Sequence, residues 1–488
     1  MRLIPASRWT DPNARLAEMQ RSARRHTRTG FFLVLLLAAI AGCTPSPTPR
    51  PEGVRDPGVR MGPAGAGGPL PGLTADETAF FEDGQDRFLE VESVTGGTNN
   101  GLGPRFNSNQ CASCHLQPKI GGTSPASNPL IAIATLEGAK NIVPWFIVQD
   151  GPIREARFKT NPDGTPDGGV HAIFTITGRS DAQGCTLAQP DFVPAGDPHT
   201  GQGGNPNIIF RIPTPLFGAG LIEAIPDATI LANMKANAAQ NGQWGITGHP
   251  NAHISGSANF SANDGTITRF GWKAQNKSLL LFSGEAYNVE MGVTNELFPQ
   301  ERDETSGCVL NATPEDANNF SANSITDALS DIEGFANFMR LLAPPTPAPD
   351  SPTTVRGRAL FASTGCTACH TPSLTTGPMI ASGSSTVPSA ALSGKVANLY
   401  SDLLVHHMGD GLADGITQGA AGPDEFRTAP LWGVWQRVFF LHDGRTTDIV
   451  DAVEDHRSHG SEANQIIDRF NKLSAQEQQD IINFLRSL

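Results

Sequence analysis

The sequence predicts a mainly α fold with short β segments and long loops, organised as two modules of which the first carries a large insertion. Three observations predict it. Amphipathic segments open at capping boxes, Thr74-Ala-Asp-Glu77 and Ser474-Ala-Gln-Glu477. A proline-rich run, Ala343-Pro-Pro-Thr-Pro-Ala-Pro349, divides the chain, and one Cys-x-x-Cys-His stands on each side of it. Glycine (52) and proline (38) are abundant beside an apolar fraction of 38%, a balance that favours loop-rich globular structure over a helical bundle or a membrane-embedded chain.

Residues 1–43 have the pattern of an export signal. Arg21, Arg24, Arg25 and Arg28 precede an apolar run, Phe31 to Ile40, that is too short to span roughly 30 Å of hydrocarbon. Ile40-Ala41-Gly42-Cys43 resembles a bacterial lipobox, which implies a lipidated Cys43 and attachment to a membrane through that anchor only. Met19 would open a leader of ordinary length, and Thr44 after the cysteine, in place of Asp, points to the outer membrane facing the bacterial periplasm. The net charge is −13 for the whole chain and +5 for residues 1–43, which leaves −18 for the rest. So acidic a surface disfavours nucleic acid and favours basic partners.

Residues 44–72 read as a Pro/Gly-rich tether, residues 73–342 as the N-terminal module with its insertion, residues 343–353 as a linker, and residues 354–488 as the C-terminal module. In the first module, Phe80, Phe81 and Phe88 form the apolar side of a helix ahead of Cys111-Ala-Ser-Cys-His115. The region 120–342 is rich in Gly, Asn and Pro, with β-like runs at Ile131–Leu136 and Val170–Ile176. In the second module a helix over Arg356–Phe361 leads into Cys366-Thr-Ala-Cys-His370, and Ile481, Ile482, Leu485 and Leu488 share one face of a closing helix.

Two cysteines one helical turn apart can each form a thioether to a haem vinyl group, and the next residue, histidine, then lies beneath the iron. Zinc would need further ligands nearby, and a redox dithiol does not require the histidine. The chemistry implied is two covalently bound c-type haems, on Cys111, Cys114 and His115 and on Cys366, Cys369 and His370, each within a module of cytochrome c outline. Cys185 and Cys308 remain; in an oxidising compartment they are expected to form a disulfide, two separate thiols being the alternative.

Leu441-His-Asp-Gly-Arg445 resembles the HDG segment of the dihaem cytochrome c peroxidases and of the dihaem enzymes that mature methylamine dehydrogenase. More of the chain resembles the di-haem oxidoreductases, also called thiol oxidoreductases. The runs that carry this are Arg269–Ala274, Gly284–Pro299, Met408–Asp414 and Arg427-Thr-Ala-Pro-Leu-Trp432. No dithiol remains to justify the second name. The resemblance implies His456, 14 residues beyond His442, as sixth ligand of the second haem, with Met408 the rival. It implies Glu290 as an acid–base group on an open first haem, with Glu285 its rival, able to move a proton between the oxygens of peroxide. It implies Trp272 as an electron relay between the haems, and Thr428 and Pro430 as carbonyl ligands of a Ca²⁺ with Asn259 or Asn263 in support. His171, His199, His249 and His253 are candidates only by type.

The function expected is a peroxidase-like dihaem oxidoreductase: one haem transfers electrons, and the other reacts with peroxide or O₂. The external electron partner is expected to be a basic cytochrome or cupredoxin. A histidine in place of methionine should lower the potential of the second haem. A pure electron-transfer cytochrome and a dihaem dioxygenase are the alternatives.

Overall fold

Helix α1 (Ala75–Phe88) opens at Thr74, whose hydroxyl accepts the Glu77 N–H while the Glu77 carboxylate accepts the Thr74 N–H. Such reciprocal capping satisfies donors that a helix N-terminus otherwise leaves bare. The same device starts the last helix at Ser474 and Glu477. A computed structural model describes residues 53–190, 192, 207–252, 267–379 and 387–488. Residues 1–43 with Cys43, together with His199, His253, Asn259 and Asn263, lie outside the described residues.

The longer helices after α1 are α2 (Asp227–Gln243), α3 (Leu279–Met291), α4 (Asp331–Leu341), α5 (Pro352–Thr364), α6 (Ile449–Glu454), α7 (Asn464–Phe470) and α8 (Ala475–Leu485). Strands are short. β1 (Arg105–Phe106) pairs antiparallel with β4 (Phe174–Thr175). β2 (Glu155–Phe158) lies between β3 (Val170–His171) and β5 (Ile208–Arg211), antiparallel to both. β6 (Leu374–Thr375) pairs with β7 (Val396–Ala397), and β8 (Val405–His407) with β9 (Glu425–Arg427). The fold is helix-dominated, with small sheets and long irregular connections.

Each Cys-x-x-Cys-His is held by a helix pair whose close approach depends on glycine. α1 crosses α4 where a Cβ on Gly84 would meet the Gly334 carbonyl at 2.2 Å. α5 crosses α8 where a Cβ on Gly357 would meet the Asp480 carbonyl at 1.9 Å. Around the first crossing Phe81 and Phe88 pack on Phe335 and Phe338. Around the second, Phe361 meets Phe484 edge-on with centroids 5.4 Å apart. The larger apolar core surrounds α1, α3 and α4; a second lies between α5, α6 and α8.

Polar ties cross between these parts. Arg211 on β5 and Lys273 both pair with Asp414, at 2.6 and 3.1 Å, all three being fully buried. Val54 is buried in the second core, and the Asp56 carboxylate accepts from Arg486 and from the Ile449 N–H. Along 343–353, Ala343 and Thr346 donate to the Gly68 and Gly65 carbonyls, and Ala348 to that of Ser487. Cys185 and Cys308 are joined by a disulfide across 123 residues.

One local expectation is corrected. Ile131–Leu136 is not a strand: Leu130–Ile133 is a helical turn, and a 3₁₀ turn follows at Leu136–Gly138. Asn128 Oδ1 accepts the Leu130 N–H at the start of the turn. Leu130 and Ile133, three apart, are both buried, a spacing that suits one helical turn as well as a strand.

Candidate haem sites

Cys111–Cys114 form a single helical turn packed under α1, so both thiols project to the same side. His115 follows, and its Nδ1–H donates to the Gly122 carbonyl at 3.0 Å, which leaves Nε2 as the free nitrogen. All three residues line one cavity, with about 1250 Å³ of space. Burial pushes the Cys114 thiol up to about 11 and drives the imidazole down to about 4. The thiols are therefore not activated thiolates, and the imidazole is neutral and able to ligate a metal. Paired sulfurs, one free Nε2 and a deep cavity fit a covalently attached haem.

The wall of this cavity carries both signs of charge. Glu155 from β2 and Glu285 and Glu290 from α3 line it, with Arg154, Arg157 and Arg211. Asn107 Nδ2 donates to Glu290 at 2.7 Å, and Arg157 Nε donates to Glu155 at 2.6 Å. The Glu155 and Glu290 carboxyls lie close enough to act on each other. Burial, then the charge of Glu155, push Glu290 well above the usual carboxylate range. Burial also acts on Glu155, but Arg157, Glu290 and Arg211 outweigh it and hold that carboxyl below its ordinary value. Environment has separated two like groups into a proton holder and an anion. Glu285 accepts instead from Asn276. Among the described histidines His115 alone lines this cavity; Met291 also lines it, with Sδ 3.7 Å from Cys111 Sγ.

The second site starts where α5 ends at Gly365, whose φ of +109° lets the chain turn directly into Cys366. Cys366, Cys369, His370 and His456 line one cavity of about 1370 Å³. His370 Nδ1–H donates to the Tyr400 carbonyl at 2.9 Å, and His456 Nδ1–H to the Ala452 carbonyl at 2.7 Å. Both keep Nε2 free, and they lie close enough for each to disfavour the other's charge. Burial lowers His370 to about 4 and lowers His456 as well. Met408 lines the cavity too, packed with Trp272, Phe426 and Phe439. His406 lies between Asp402 and Glu462, His407 pairs with Asp424, and His459 pairs with Asp410 at the surface. Each of those imidazoles has a carboxylate partner, whereas His370 and His456 hydrogen-bond to backbone carbonyls; His442 lines the same cavity, and burial lowers it to about 4.

Trp272 lines both cavities. Its Nε1–H donates to the Ile212 carbonyl at 2.9 Å, and its ring meets that of His442 at 6.4 Å; His442 in turn stacks on Phe426. Thr428 lines the second cavity beside Arg427 and Arg437, and the Thr428 carbonyl accepts from Ser401. Pro430 lines a smaller space with the same two arginines. Burial lowers both arginines to about 10, and no described carboxylate contributes to either value. Two guanidinium groups with no described acid beside them do not fit Ca²⁺, which selects anionic and neutral oxygens. The Ca²⁺ expectation on Thr428 and Pro430 thus meets a cationic neighbourhood.

His171 pairs with Asp167 and His249 with Glu425, and neither lines the cavity of a cysteine pair. Sequence reasoning passed over Glu155, Arg157, Asn107, Arg427 and Arg437. Glu155 and Arg157 alternate with apolar residues, which in a sequence signals a solvent-facing strand edge; here that edge faces the cavity.

Among solved structures the chain is similar to a hydrazine synthase of Kuenenia stuttgartiensis (18% identity, 34% of this chain and 56% of that one, TM-score 0.21). It is also similar to a MauG-like protein associated with microbial copper homeostasis (15% identity, 49% of this chain and 73% of that one, TM-score 0.24). The chain thus spans little more than half the length of the hydrazine synthase chain. No curated protein sequence matches it. The family described as "Di-haem oxidoreductase, putative peroxidase" matches residues 205–488, which include the second Cys-x-x-Cys-His, Trp272 and Glu290 but not Cys111. The chain belongs to that di-haem oxidoreductase family.

Proposed function

We propose that this protein is a peroxidase-like dihaem c-type oxidoreductase of the bacterial periplasm, in which the His370/His456 haem passes electrons and the His115 haem reacts with peroxide or O₂. The inequality of the two cavities carries the reading. One sets His370 and His456, each with a backbone carbonyl on Nδ1, among four lining histidines; the other offers His115 alone against a wall bearing a carboxyl pair. Haem, when bound, supplies an iron that exchanges electrons and, where a coordination position is open, takes peroxide or O₂.

The chain's own residues supply the rest. Arg157 keeps Glu155 ionised, so the proton resides on Glu290, ready to be given to or taken from a small oxygen ligand. The Asn107 amide orients Glu290 for that exchange. Trp272, in the wall of both cavities, is the relay between them. The acidic surface favours a basic electron partner such as a cytochrome or cupredoxin, and lipidated Cys43 would hold the protein at the outer membrane.

Electronic and EPR spectra of the purified protein with and without H₂O₂ test the reading. We expect one low-spin haem inert to peroxide and one high-spin haem that reacts. Two low-spin haems inert to both peroxide and O₂ would overturn it in favour of a pure electron-transfer protein.

A further inference from the structure

Arg437 is 8% exposed, and its Nε and Nη2 atoms have no hydrogen-bond partner. Its guanidinium lies 5.7 Å from the Trp272 ring centroid. Arg427 donates through Nε to the Gly271 carbonyl at 3.1 Å, yet its buried Nη1 has no partner. Both side chains line the second haem cavity, and they lie close enough to repel each other. An unsatisfied buried donor costs about 1–3 kcal/mol, and an unpaired buried charge costs more. Three orphan donors on two adjacent cations, all walling one cavity, call for an acceptor there, and an anion would answer the charge as well as the hydrogen bonds. Guanidinium donors match the planar, two-oxygen geometry of a carboxylate.

We propose that Arg427 and Arg437 form a carboxylate-binding pair that receives the propionate groups of the haem in the second cavity. This rests on the reading above only in that a haem occupies that cavity. The pair then does two things. It satisfies donors that otherwise stand bare beside Trp272, and it places positive charge against the haem edge nearest that relay. Positive charge beside a haem favours the reduced state, so the pair raises a potential that bis-histidine ligation lowers. A divalent cation cannot share the space, because it would sit against two guanidinium charges.

The experiment uses the holoprotein, with haem counted by the pyridine haemochrome assay. One haem in place of two would show that the underlying reading, not the arginine pair, has failed. In wild type, the resonance Raman propionate-bending band of the low-spin haem should lie where hydrogen-bonded propionates absorb. Arg427→Met and Arg437→Met should each move it toward the unbonded position and lower the midpoint potential, while Arg437→Lys should retain most of that potential. A free small carboxylate is the other source of the same chemistry. If it were the ligand, acetate would shift the wild-type potential saturably and the propionate band would stand at the unbonded position, which would overturn the proposal. An unbonded band in wild type overturns it even if no variant incorporates haem. So do variants that hold two haems at unchanged potential.

Discussion

The two candidate haem cavities begin from the same five-residue pattern and end with different linings. The first sets three carboxyls, Glu155, Glu285 and Glu290, against three guanidinium groups, Arg154, Arg157 and Arg211, and behind it Glu92 and Asp331 lie at the hydroxyl of Tyr287, another lining residue. The second has one carboxyl, Glu462, among four imidazoles and two guanidinium groups with bare donors. Burial penalises charge in both. In the first it raises Glu290, and in the second it leaves two cations with bare donors. The difference teaches that Cys-x-x-Cys-His fixes attachment and one ligand only. What faces the other side of the iron decides whether the site stores electrons or moves protons.

The largest expected effect comes from making the second site open like the first. His456→Gly should abolish the low-spin EPR signal of that haem and let it bind CO in the reduced state. Retention of the signal would transfer the ligand role to Met408. Next, Glu290→Gln should lower peroxide turnover by about 10²- to 10⁴-fold, the range for losing a positioned acid–base group, with the second haem's spectrum unchanged. The same pair sets the pH profile. Because the folded carboxyl is raised, activity that needs its proton is present at low pH and lost as pH climbs through the raised value.

Opening the disulfide should separate the regions by stability. Cys308→Ser releases a link across 123 residues and is expected to cost about 2–5 kcal/mol, read as a lower urea midpoint. That loss should come with no change in the potential of the His370/His456 haem. The smallest effect is expected behind the first cavity. Burial, then Asp331, push Glu92 up to about 8. A carboxyl raised in the folded state adds stability that is complete below its unfolded value and lost as pH rises through the folded one. Glu92→Gln should therefore flatten the fall in urea midpoint between about pH 5 and pH 8, by on the order of 2 kcal/mol at the upper end. An unchanged slope would remove the acidic backing of the first site from the comparison.

Much was legible because it is local. Thr74 with Glu77 and Ser474 with Glu477 cap helices through contacts only three residues long. The Cys-x-x-Cys-His pattern states its chemistry within one helical turn. His456 was reached through a resemblance, and its ring does line the cavity of His370. Glu155 could not be reached so, because its partner Glu290 is 135 residues away and only the β2 strand brings them together. Ile131–Leu136 misled because a short apolar run suits a buried turn as well as a strand. Arg427 and Arg437 were invisible as a pair: a sequence displays a charge but not the lack of a neighbour to neutralise it.

By itself, then, the sequence determined the two Cys-x-x-Cys-His patterns, the capped helices beside them, the acidic net charge and the family. These depend on residue identity at short spacing, where bond geometry leaves few choices. Only the tertiary structure decided that Glu290 lies against Glu155, that Trp272 stands in both cavities, and that two arginines with bare donors face the second cavity. Those facts depend on burial and on partners distant in the chain, and a group's charge in a protein interior is set by what surrounds it.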